Sequence, residues 1–159
     1  MGPRWLDEAE MTAWKTLIVA TTGLLATLDN ELQTSHGLSL GEYEVLVHLS
    51  EAPEHALRMT DLSGRLHLSP SGITRRIDGL VKEGLVGRRQ CAIDRRGSEA
   101  VLTKDGMKRL EEAAPTHVAG VRAHFIDRLN ARQLSNVASA LSMITIDPAA
   151  AAGGCDDAA

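Results

Sequence analysis

The stretch LSPSGITRRIDGLVKEGLVGRRQCAIDRRGSEAVLTKDG, Leu68 to Gly106, decides how this chain folds. Ser69 is placed to cap a helix whose first position is Pro70, where a missing N–H costs nothing, and Gly84 stops that helix. At about 100° per residue, Ile73, Ile77, Leu80 and Val81 form a buried stripe, leaving Ser71, Thr74, Arg75, Asp78 and Lys82 on the other side. Beyond it, LVGRRQ and SEAVLT read as two strands, with CAIDRRG between them as a hairpin loop. Their alternation is only approximate, so the pairing register stays open.

Working upstream, Thr60 is a candidate N-cap for DLSGRLH, a short helix with Leu62 and Leu66 on one face, and Leu68 makes the turn into the next helix. A short helix, a tight turn and a second helix with a polar, basic outer face make a helix-turn-helix. ALRM is a short apolar step before it. Ser39 and Glu42 have capping-box spacing for a helix ending near Ser50, with Tyr43, Leu46, Val47 and Leu49 on its buried face. From Leu6 to Leu32, Trp14, Leu17, Ile18, Leu24, Leu25, Leu28 and Leu32 recur at helical spacing. That helix is about 40 Å long, more than so small a domain can cover, so part of it should face another subunit.

Downstream, Thr103 can cap a helix striped by Met107, Leu110, Ala114, Val118, Val121, Phe125 and Leu129, with a kink expected at Pro115. Asn130 and Gln133 start a last helix whose Leu134, Val137, Leu141 and Ile144 should face inward. After Pro148 the tail is low-complexity, and disorder is expected. The fold class is therefore mainly α with a small β-wing: a winged helix-turn-helix (residues 36–104) between an N-terminal dimerisation helix (1–35) and C-terminal dimerisation helices (105–147), with a tail at 148–159.

Composition agrees with a globular chain of 159 residues, 43% apolar and 24% charged, with 3% aromatics demanding an aliphatic core. No apolar run approaches the roughly 20 residues of a membrane span, and the acidic, amphipathic N-terminus lacks a secretion signal, so a cytoplasmic location is expected. Charge is polarised: the segment from Arg65 to Lys104 carries nine bases and four acids, while the whole chain is at −4. A basic block in an acidic frame can meet a polyanion while the frame keeps the protein dissolved. A solvated mixed-charge surface is the plainer alternative.

The residues DRRGSEAVLTKDG, Asp94 to Gly106, resemble the wing signature of MarR-type transcriptional regulators: Asp, any residue, Arg, then a strand ending Leu-Thr-x-x-Gly. LSPSGITRRIDGLVKEGLV resembles that family's recognition helix, in the matching position. The resemblance implies that Arg96 enters the DNA minor groove with Asp94 orienting its guanidinium. A planar, always-charged fork suits that narrow, negative groove; the alternative is an ion pair that merely closes the turn. Arg95 would meet phosphate. Ser69, Ser71, Thr74 and Arg75 would be first to reach the major groove, with Arg75 the candidate for reading guanine. Arg76 lies on the flank, for phosphate contact or an intramolecular pair. Lys82, Arg88 and Arg89 would position the protein on the DNA backbone, unless they are simply solvated. The polar Ser98-Glu99 start of the return strand and Arg128 depart from the usual pattern.

The resemblance further implies a homodimer, more often a repressor than an activator, bound to a pseudo-palindromic operator whose half-sites lie about 34 Å apart. Many relatives respond to small aromatic or phenolic ligands between the dimerisation helices and the DNA-binding lobe; Trp14, Leu17 and Tyr43 are the residues here that can line such a site, or they are core. A redox role for Cys91, flanked by Arg88, Arg89, Arg95 and Arg96, is an alternative, and a winged helix that docks proteins is another. Cys155 lies in the tail. His117 and His124 are too far apart along a helix to share a metal unaided, and His36, His48, His55 and His67 have no ligand spacing, so no metal or cofactor is implied. Without Gly-x-Ser-x-Gly, His-Glu-x-x-His or a phosphate-binding glycine loop, an enzyme is not expected.

Overall fold

The computed structural model describes residues 2–90 and 98–144. The first helix, α1 (Glu8–His36), opens on a capping box between Asp7 and Glu10 and closes at Gly37, whose φ of 63° lets its N–H reach the Gln33 carbonyl. It runs a turn beyond the expected end at Leu32. Only Leu28 and Leu32 are buried on it, while Trp14 (54%), Ile18 (42%) and Leu25 (52%) stay exposed. By length and composition α1 could cross a bilayer, so the expectation that no segment approaches a membrane span is corrected.

α2 (Leu40–Ser50) carries the Ser39–Glu42 capping box and buries Tyr43, Val45, Leu46 and Leu49. Val45 takes a core place assigned from spacing to Val47, which is half-buried against the same cluster. The Leu40 N–H donates to Asp29 Oδ1 at 2.8 Å, joining α2 to α1. A 3-10 turn at Pro53–His55 leads into β1 (Ala56–Arg58). α3 (Met59–Arg65) starts one residue before Thr60; Arg58 precedes it without a side-chain cap, so the expected Thr60 cap is not formed. The turn that follows is made at His67, with φ 50°, and Ser63 Oγ donates to the Leu68 carbonyl at 2.6 Å across it.

α4 (Pro70–Lys82) has Ser69 at its N-cap, and Ile73, Ile77 and Leu80 pack inward. Val81, assigned to that stripe, is 37% exposed because it sits at the stripe's edge. β2 (Val86–Gln90) and β3 (Ser98–Leu102) form an antiparallel ribbon, Val86 opposite Leu102 and Arg89 opposite Glu99. β1 pairs with the other edge of β3, giving the order β1-β3-β2. The fold is a winged helix-turn-helix.

α5 (Lys104–His124) is capped by Thr103 and continues through Pro115 as one helix. It ends before Phe125, whose φ of −131° departs from helical geometry, and a 3-10 turn at Ile126–Arg128 follows. The stripe expected to continue helically to Leu129 is thus cut short. α6 (Ala131–Ser142) has the Asn130–Gln133 capping box but buries no residue: Leu141 and Ile144 are 41% and 57% exposed, so they do not face this chain's interior. The core is aliphatic, built from α1's C-terminal part, α2, α3, α4, the sheet and α5 around Leu32, Leu46, Leu49, Leu62, Ile77 and Leu80.

Candidate nucleic-acid interface

The first turn of α4 gathers small polar groups at one exposed end. Ser69 Oγ accepts from the Gly72 N–H at 3.1 Å and lies 3.2 Å from Ser71 Oγ. Thr74 Oγ1 donates to the Pro70 carbonyl at 2.8 Å, which fixes the rotamer of this exposed residue. Because Ile73, Ile77 and Leu80 anchor the opposite side, Ser71, Thr74, Arg75, Asp78 and Lys82 all face outward. Among the described residues Arg75 and Lys82 form no ion pair, leaving both cations available to an external anion.

Arg76, Arg88 and Arg89 reach partners within the chain. Arg76 is half-buried, with Nη1 3.5 Å from the Gly41 carbonyl; a Cβ at position 41 would run into its guanidinium, so glycine there makes room for it. Arg75 and Arg76 flank a cleft of about 340 Å³ with Ser39, Glu42, Leu68 and Gly72. Arg88 donates to Asp78 Oδ1 at 2.8 Å, tying β2 to α4. Arg89 donates through Nε to Glu99 at 2.6 Å and through Nη2 to Glu54 at 3.1 Å. Those bonds, that to Glu99 foremost, raise its pKa above the ordinary guanidinium value. Asp94, Arg95 and Arg96, with Cys91, lie outside the described residues, as does Cys155.

Of the residues considered for an effector, Tyr43 is buried, Leu17 half-buried and Trp14 exposed on α1. Tyr43 meets His117 of α5 ring to ring, centroids 4.6 Å apart and planes tilted by 38°. Burial raises the Tyr43 pKa and lowers that of His117, whose Nδ1 is enclosed without a hydrogen-bond partner. His36 Nε2 lies 2.8 Å from Thr116 Oγ1, and His124 Nε2 2.7 Å from Glu31 Oε1. No group of three or more metal-ligating side chains occurs among the described residues. Spacing points to neither Glu54 nor Asp29: Glu54 reaches Arg89 from a backbone of φ 54°, and Asp29 acts across a turn.

Residues 38–98 match the model of the MarR family. The HTH-type transcriptional repressor YetL of Bacillus subtilis is 37% identical over 87 residues, 55% of this chain and 52% of that protein, so the match spans about half the length of that curated relative. Among solved structures, AbsC, a MarR family transcriptional regulator from Streptomyces coelicolor, is 39% identical over 89% of this chain and 95% of its own, with a TM-score of 0.84. Sco3205, a MarR family transcriptional regulator from the same organism, solved in complex with DNA, is 36% identical over 89% of both chains, with a TM-score of 0.86.

Proposed function

Because this chain belongs to the MarR family, we propose that it is a homodimeric transcriptional regulator that occupies a pseudo-palindromic operator through α4 and the β2–β3 ribbon, acting as a repressor. The observation that carries the reading is the exposed first half of α4: Ser69, Ser71, Thr74 and Arg75 share the helix end that enters deepest in a major groove. Arg75 reads a base edge and Lys82 meets phosphate. From the wing signature, Arg96 enters the minor groove with Asp94 holding it and Arg95 touching backbone. The chain has no catalytic task in this reading, and it works in the cytoplasm, where the promoter DNA is.

Residues 1–35 and 105–147 supply the dimer contact, leaving 36–104 to the DNA and 148–159 as a tail. This division is supported by the apolar side chains that α1 and the C-terminal end leave uncovered, Trp14, Ile18, Leu25, Leu141 and Ile144 among them. A small aromatic or phenolic effector bound either beside Tyr43, at the seam of α1, α2 and α5, or beside Trp14 and Leu17, which lie some twenty residues earlier on α1, would release the operator by favouring a lobe spacing that no longer fits one DNA turn.

The test is to sequence the genomic fragments that the purified protein retains and to titrate one of them at several salt concentrations. A regulator of this kind enriches a fragment with an inverted repeat and loses affinity steeply as salt rises. A protein-docking module retains none and shows no such slope.

A further inference from the structure

Glu99, where the sequence departs from the usual wing, stands in the middle of a rung of charged residues. In the sheet register it faces Arg89 on β2 and Arg58 on β1, and cross-strand partners leave the same face of a sheet. Arg89 donates to Glu99 at 2.6 Å and also to Glu54 at 3.1 Å, so one guanidinium spans the ribbon and the turn before β1. Glu54 and His55 both hold positive φ, 54° and 53°, a conformation that residues with a Cβ adopt at a cost unless something secures it. Arg88, one residue earlier and therefore on the opposite face, is taken by Asp78 of α4. The loop-side half of the ribbon is braced on both faces.

We propose that Arg89 is a positioning residue: clamped by Glu99 and Glu54, it fixes the β2–β3 ribbon against the turn before β1, while Arg88 ties the same strand to α4, and it does not serve as a phosphate ligand. The inference rests on the DNA-binding reading above. To reach phosphate, Arg89 would have to leave two charge-assisted hydrogen bonds and present an anion to a site that already holds two carboxylates. Arg75 and Lys82 carry no such competitor among the described residues.

The two roles predict opposite signs. Neutralising an acid beside a DNA surface strengthens binding on electrostatic grounds alone, whereas loosening a brace weakens it. Glu99→Gln, Glu54→Gln, Arg89→Gln and the Arg89→Gln/Glu99→Gln double variant are titrated against the duplex recovered from the retention experiment. The expected result is binding about threefold to tenfold weaker for each single variant, with the double variant no weaker than Arg89→Gln. Glu54 is 77% exposed at its side chain, so its variant loses little stability, and its unfolding midpoint, measured alongside, separates positioning from stability. Glutamine variants of either acid that bind as well as the parent or tighter, or losses at 89 and 99 that add, overturn the positioning role alone. A parent that retains no duplex overturns the DNA-binding reading, and this inference falls with it.

Discussion

The rings of Tyr43 and His117 meet 4.6 Å apart across the seam between α2 and α5, and the buried Nδ1 of His117 has no partner there. Burial makes the imidazolium unfavourable and lowers the His117 pKa, with Glu44 opposing by a smaller attraction. In the unfolded chain His117 titrates near its ordinary value of 6.5. As pH falls through that value the unfolded state takes up a proton that the folded state resists, so stability declines toward the lowered folded pKa and levels off below it. The contribution is intact above 6.5. Urea unfolding of the parent and of His117→Leu between about pH 8 and pH 5 checks this: the parent should lose more stability across the range. Equal slopes would remove His117 from the account.

Arg75 stands free on the outer face of the first half of α4, so its truncation should remove an external contact and little else. Arg75→Ala should cost about 1–3 kcal/mol of operator affinity and relax base preference at one position in each half-site, with the unfolding midpoint unchanged. Arg96→Ala should weaken binding while the dimer sediments as before. An Arg96→Ala protein that binds operator like its parent would refute the wing assignment.

Gly106 is fixed by its neighbours. A Cβ there would overlap the Leu85 carbonyl and crowd Leu102, where the start of α5 crosses the root of β2. The obstacle is backbone, which cannot swing aside. Gly106→Ala should therefore destabilise the fold by about 3 kcal/mol or more, read as a lowered denaturant midpoint.

The dimer prediction follows from α1. Ile18→Glu places a charge among side chains that this chain alone leaves open, so the variant should fold, raise the dimer dissociation constant about tenfold or more, and lose operator binding at matched concentration. Sedimentation and anisotropy on one sample separate the two effects; a variant as dimeric as the parent would locate the interface elsewhere.

Local signals in the sequence were strong where one residue does one job. Ser39, Ser69, Thr103 and Asn130 all cap as their spacing predicts, because a cap is settled within four residues. Thr60 misled because β1 pairs with β3 through Arg58, and that pairing places the chain's entry into α3. Gly106 could be read as part of a signature but not explained, since its reason is the Leu85 carbonyl some twenty residues away. The site divides the same way. Face and polarity of α4 are legible from periodicity, but which arginines are spoken for is not: the partners of Arg76, Arg88 and Arg89 come from α2, α4, β3 and the turn before β1.

The hydrogen bond from Leu40 to Asp29, closed over the left-handed Gly37, leaves little slack between the first two helices. Were the joint loose, a twofold molecule could stretch or swivel to suit uneven sites. With it tight, inserting a single base pair between the halves of the proposed operator would turn one half by about 35° relative to the other, a mismatch that the proposed dimer would have to answer by bending the duplex or letting go of one side.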